Sequence, residues 1–62
     1  MVYTLLAVHK QDGDIVAVQE DNPDILDVKK LAHQIGHFID ECWQLSLLET
    51  DLNTKDSKTI EI

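Results

Sequence analysis

Two stretches near the start of the chain carry residues suited to strands. Val2 to Val8 is rich in Val, Tyr, Thr and Leu, and Ile15 to Val18 is β-branched apart from Ala17; such residues fit a pleated, half-buried surface. Between them, Gln11-Asp12-Gly13-Asp14 contains Asp-Gly, a dipeptide that tolerates the positive φ angles of a type I′ turn, so a hairpin is expected. With Asp12-Gly13 as the two turn residues, His9 faces Val16, Val8 faces Ala17 and Ala7 faces Val18. That register places Tyr3, Leu5, Ala7, Val16 and Val18 on one side and Val2, Leu6, Val8, Ile15 and Ala17 on the other. Neither side is polar, whereas a ribbon covered on one side only should alternate apolar-in and polar-out. Scattered exposed aliphatics are common, but a second copy of the chain or a different partner over the second side is the better explanation.

The period then changes. Counted at about 100° per residue from Val28, the residues Leu31, Ala32, Ile35, Phe38, Ile39, Cys42 and Leu45 share one sector, with Ile25 and Trp43 at its edge. This predicts one long amphipathic helix from Asn22 to about Leu45. Asn22 suits the N-cap, Pro23 the first helical position, and Asp24 and Asp27 the positive end of the helix dipole. Lys30, His33, His37, Asp40, Glu41 and Gln44 fall on the opposite, solvated side. Gly36 lies between the two, where it costs ~1 kcal/mol relative to alanine and where close approach by another backbone would explain it.

Past Leu45 the helical pattern fails, and Leu48, Thr50 and Leu52 alternate instead. A polar turn over residues 53–57 precedes a second alternating run, Lys58-Thr59-Ile60-Glu61-Ile62. Leu45, Leu48 and Leu52 are also spaced as a helical stripe, so strand, continued helix and disorder all stay open for this segment. The expected fold class is α+β: an N-terminal β-hairpin followed by one long amphipathic helix, with a C-terminal segment adding one or two short strands. Residues 1–62 form one small domain, and 53–62 are an edge strand or a flexible tail.

Composition narrows the function. A 62-residue chain buries only about 60% of the surface its unfolded form exposes, so its core is thin and association with another chain would help it. The single cysteine, Cys42, allows no internal disulfide and fits a reducing compartment. All five basic residues are lysine; the missing guanidinium forks argue against direct nucleic-acid binding. No apolar run approaches the roughly 20 residues of a membrane span, and Met1-Val2-Tyr3-Thr4 lacks the basic start of a secretory signal. A cytoplasmic location is expected.

Charge is unevenly spread. Asp12, Asp14, Glu20, Asp21, Asp24 and Asp27 occur between Gln11 and Val28 without a basic residue, and they carry six of the seven net negative charges. Turns and helix starts select acids for local reasons. Such a surface also attracts a basic protein through its long-range field, above all one that otherwise holds nucleic acid. Small acidic inhibitors made by phages and mobile elements have a similar composition. The leading expectation is therefore a non-enzymatic protein-binding module, an inhibitor or regulator, using these six acids. Trp43 joins them as an interface anchor. The alternative is a structural or dimerisation subunit with an apolar interface, and a homodimer is expected in either case.

His33 and His37 share a helical face at a spacing that can hold one zinc ion. Leu31-Ala32-His33-Gln34-Ile35-Gly36-His37-Phe38 resembles the active-site helix of zinc metallopeptidases, His-Glu-x-x-His. Gln34 stands where that family has its glutamate, and an amide cannot take a proton from zinc-bound water. The resemblance covers this stretch alone. A non-catalytic site drawing on His33, His37, Asp40 and Glu41 is a third reading, while Cys42, on the apolar sector, is expected to be buried. Neither an enzymatic activity nor a cofactor is expected.

Overall fold

The structure, a computed structural model, describes residues 1–61; Ile62, the end of the second alternating run, lies outside the described residues. It is an α+β arrangement of five elements: β1 (Val2–His9), β2 (Ile15–Asn22), α1 (Ile25–Gly36), β3 (Trp43–Thr50) and β4 (Ser57–Ile60). The strands form one antiparallel sheet in the order β2-β1-β3-β4. The first strand of each hairpin is therefore central, and β2 and β4 are the edges.

The N-terminal hairpin forms as expected, with its register moved by two. Val8 pairs with Ile15, Ala7 with Val16 and Leu6 with Ala17. The cause is a longer loop: His9 N donates to Asp14 O (2.8 Å) and Gly13 N to His9 O (2.8 Å), which leaves four residues, Lys10 to Gly13, in the turn. Gly13 takes the left-handed conformation there, at φ 73°, where a side chain would be strained. Because side chains alternate with period two, an even shift keeps each paired residue on its assigned side.

Further along, β2 departs from regular pairing. The register shifts between Leu6 and Leu5 and again between Leu5 and Tyr3, so that Leu5 meets Gln19 and Tyr3 meets Asn22. Each shift places an extra residue in β2, which is how a bulge adds twist and bends an edge. Asp21, at φ 52°, turns the second bulge, and its N–H, displaced from the ladder, donates to Thr4 Oγ1 at 3.2 Å.

The helix is the main correction. It spans 12 residues, not the expected two dozen, and its N-cap is Asp24 rather than Asn22. Asp24 Oδ1 accepts from Leu26 N (3.0 Å) and Asp27 N (3.4 Å). Asn22 ends β2, and its Oδ1 accepts from Asp24 N at 2.8 Å, fixing the turn that launches the helix. Pro23 lies in that turn, before the cap. At the other end Gly36 closes the helix, and Phe38 N and Ile39 N both donate to Ile35 O (2.8 and 3.1 Å). Asp40 then accepts from Cys42 N at 2.8 Å, reversing the chain into β3.

Residues expected on the helix's apolar face consequently lie elsewhere. Phe38 is 87% exposed, Cys42 is exposed in the turn, and Trp43 and Leu45 belong to β3. Gly36 has open space where a Cβ would point, so no backbone of this chain approaches it. The core is small: Leu5 and Leu47 from the central strands against Val28 and Ala32 from α1, with Tyr3, Leu31, Ile35, Leu45 and Ile60 packed around them. All the strand residues in this cluster share one side of the sheet, so α1 covers that side alone.

The C-terminal segment is a second hairpin, with β3 beginning at Trp43 rather than past Leu45. Leu48 and Thr50 share a side as expected; Leu52 is in the loop. Asp51 N donates to Asp56 O (2.9 Å) and Lys55 N to Asp51 O (2.6 Å), the same pair of bonds that closes the first hairpin. The two four-residue loops are thus equivalent, with Lys55 at φ 61° in the place of Gly13.

Candidate functional site

The six acids follow the β2 edge of the sheet. Asp12 and Asp14 sit at the loop where β2 begins; Glu20 and Asp21 lie in its bulged end, and Asp24 and Asp27 open the helix that follows. Six or seven extended residues separate the two groups, about 20 Å. The run between them, Ile15 to Val18, is exposed, with Ile15 at 62% and Val16 at 52%. As an edge strand, β2 also presents backbone N–H and C=O groups without a neighbour on its outer side. The edge is apolar in its middle and acidic at both ends.

Several of these acids serve the fold. Asp24 caps the helix, Asp21 turns a bulge, and Asp27 accepts from Asn22 Nδ2 at 3.3 Å. Asp12 approaches His9, with Oδ2 3.4 Å from Nδ1, while its own N–H donates to the same nitrogen at 3.2 Å. These two contacts exclude one another: the N–H bond needs a lone pair on Nδ1, and an ion pair needs a proton there. Among the described residues the other ion pair joins Lys58 Nζ to Glu49 Oε1 across β3 and β4, at 3.4 Å. No lysine closes on Asp14, Glu20, Asp21, Asp24 or Asp27 in an ion pair among the described residues.

Beside the bulged end of β2 runs an open groove of about 250 Å³, lined by Gln19 and by the helix residues Asp27, Lys30, Leu31 and Gln34. The four helix residues recur at three- and four-residue spacing and so form one stripe. Gln19 reaches the helix side of the sheet because the first bulge sets it opposite Leu5. Its Oε1 is shut off from solvent and accepts no hydrogen bond, a state that costs about 1–3 kcal/mol. The sequence gives no sign of this groove, since Gln19 joins it only through a bulge.

Trp43 lies apart from the acids of the helix start. It begins β3, half-buried, and meets His9 edge to face with ring centroids 4.9 Å apart at 85°. The central register, which pairs His9 with Trp43, creates that contact. Trp43 is thus near the Asp12 end of the edge, through His9, and its place on a strand separates it from the helix face assigned to it by periodicity.

The histidine pair stays together but gathers no further ligands. His33 and His37 pack edge to face, centroids 5.1 Å apart. Asp40 and Glu41 leave with the chain once the helix stops at Gly36, and Asp40 is engaged with Cys42 N. No group of three or more His, Cys, Asp or Glu side chains is placed to hold a metal ion among the described residues. Nor is any described helix long and apolar enough to cross a membrane. No protein-family model, no curated protein and no solved structure matches the chain.

Proposed function

We propose that the chain is a non-enzymatic protein-binding module that receives an extended basic segment of a partner along the β2 edge. The observation that carries this reading is the edge itself: an exposed β-branched strand with unpaired backbone groups, flanked at both ends by acids that no lysine neutralises. A strand added there gains main-chain hydrogen bonds, and alternate side chains give specificity. Basic residues flanking an apolar centre would match the charge pattern, which speeds encounter and suppresses wrong partners. Partners that normally hold nucleic acid have the required surface, so an inhibitory or regulatory role follows naturally.

The experiment uses a synthetic peptide with a Val-Ile centre and lysine and arginine at both ends. Its affinity is measured against salt for the native chain and for a variant with Asp14→Asn, Glu20→Gln, Asp24→Asn and Asp27→Asn. These changes remove charge while leaving an N-cap at Asp24, since asparagine caps as well as aspartate. Binding is expected to weaken at least about tenfold from low to physiological salt and to fall by a similar factor in the variant. Salt-insensitive binding that survives neutralisation would sink the electrostatic reading.

A further inference from the structure

The geometry points to a symmetric homodimer formed by the side of the sheet that α1 leaves uncovered. The central register puts Leu6 and Val8 of β1 on that side with Leu48 of β3, and the hairpin register adds Ile15 and Ala17, while Val2 at the same side is already buried within the chain. The other regularly paired positions there are threonine, serine and glutamine. None of these paired positions is charged, in a chain of net charge −7. Glu20 and Asp21 lie in the bulged stretch at the rim, Asp14, Asp51 and Asp56 lie just beyond the strand ends, and the Glu49–Lys58 pair is on the helix side.

That charge distribution selects the occupant. A basic partner finds nothing to complement on an uncharged face and is drawn to the β2 edge instead. Pairing two copies through their β2 edges would set acid against acid at both ends, because antiparallel strands bring Asp14 of one copy towards Glu20 of the other. Face-to-face packing through the uncharged side keeps these groups at the periphery. It also explains why the hairpin has two apolar sides, a pattern expected where both are covered.

Three strands of eight residues and the four-residue β4 present a face of roughly 440 Å². Two such faces remove about 900 Å² from solvent, close to the ~1,000 Å² at which specific interfaces begin. The contact is isologous, each copy using the same patch, and sheets stacked in this way lie about 10 Å apart.

Sedimentation equilibrium of the full chain tests the assignment. A concentration-dependent dimer is expected that holds or tightens as salt rises, the opposite trend from binding of the basic peptide. Leu6→Lys should shift the dissociation constant upwards by more than about tenfold, as loss of a central interface residue does. Thr59→Lys, at an exposed β4 position on the same side, should weaken the dimer while leaving the circular dichroism of the fold unchanged. Phe38→Ser, away from the sheet, should change nothing. A chain that is monomeric up to about millimolar concentration, or a dimer broken by Phe38→Ser but not by Thr59→Lys, would overturn the proposal. The charge-neutralised variant should still dimerise, so failure of the docking reading and failure of this one are separate results.

Discussion

Lys55 and Gly13 occupy the same place in equivalent loops, yet only one of them suits it. At φ 61° a lysine bears a clash between Cβ and the backbone that glycine avoids, worth roughly 1–2 kcal/mol. Lys55→Gly should therefore raise the stability of the chain by about 1 kcal/mol in urea denaturation, while Gly13→Ala should lower it by a similar amount. Gly36 has a different balance. Its conformation needs no glycine and nothing lies near its Cβ direction, so Gly36→Ala should stabilise by up to about 1 kcal/mol through helix propensity. Asp24→Ala, by contrast, removes the cap from Leu26 N and Asp27 N and should cost about 1 kcal/mol, readable as a lower melting temperature.

Among the elements, the helix separates the periodic pattern from the packing. Leu5 and Leu47 face Val28 and Ala32 with no solvent exposure, and Leu5→Ala or Leu47→Ala should cost about 2–5 kcal/mol. Phe38, which the helical count groups with the core, should tolerate serine within about ±0.5 kcal/mol. The hairpin was legible because Asp-Gly and the β-branched runs are local signals, and an error of two in register leaves the sides intact. The helix start was legible to within two residues, since Asn22, Pro23 and Asp24 each favour it and differ only in which one caps. Its end was hidden: Phe38, Ile39, Cys42 and Leu45 satisfy the helical period, while Trp43, Leu45 and Leu47 satisfy the strand period on the side facing α1. What decides between them is the eight-pair ladder of β3 with β1, a contact between distant parts of the sequence. The acids could be read directly, but their alignment along one edge, and Gln19 beside them, depend on strand order and bulges.

At the scale of the whole molecule, the two hairpins divide the labour. The first supplies the acidic edge and the second closes the sheet with the short strand β4, whose four residues make a poor template for pairing. The exposed strand therefore lies on the side where the acids can select its partner. The uncharged face between the edges is the one proposed to meet a second copy. Binding and self-association are thus predicted to respond to salt in opposite directions, because they use surfaces of opposite character.

The central pairing of β1 with β3 has a kinetic consequence. Val2 meets Thr50 and His9 meets Trp43, so the innermost ladder closes loops of more than half the chain, and contacts of such long range slow folding. The first hairpin and the helix precede Leu47 in the chain and lack a complete core until it docks. Residues 1–42 alone should show little cooperative unfolding by circular dichroism, and adding a peptide of residues 43–62 should restore it; a cooperative transition in the shorter fragment would contradict this. Until that last third arrives, Leu5 and Val28 have no lid and the β1 edge is open. Residues 1–42 hold eight acids and three lysines, a net charge of −5, and this repulsion between copies opposes aggregation while the β1 edge is open.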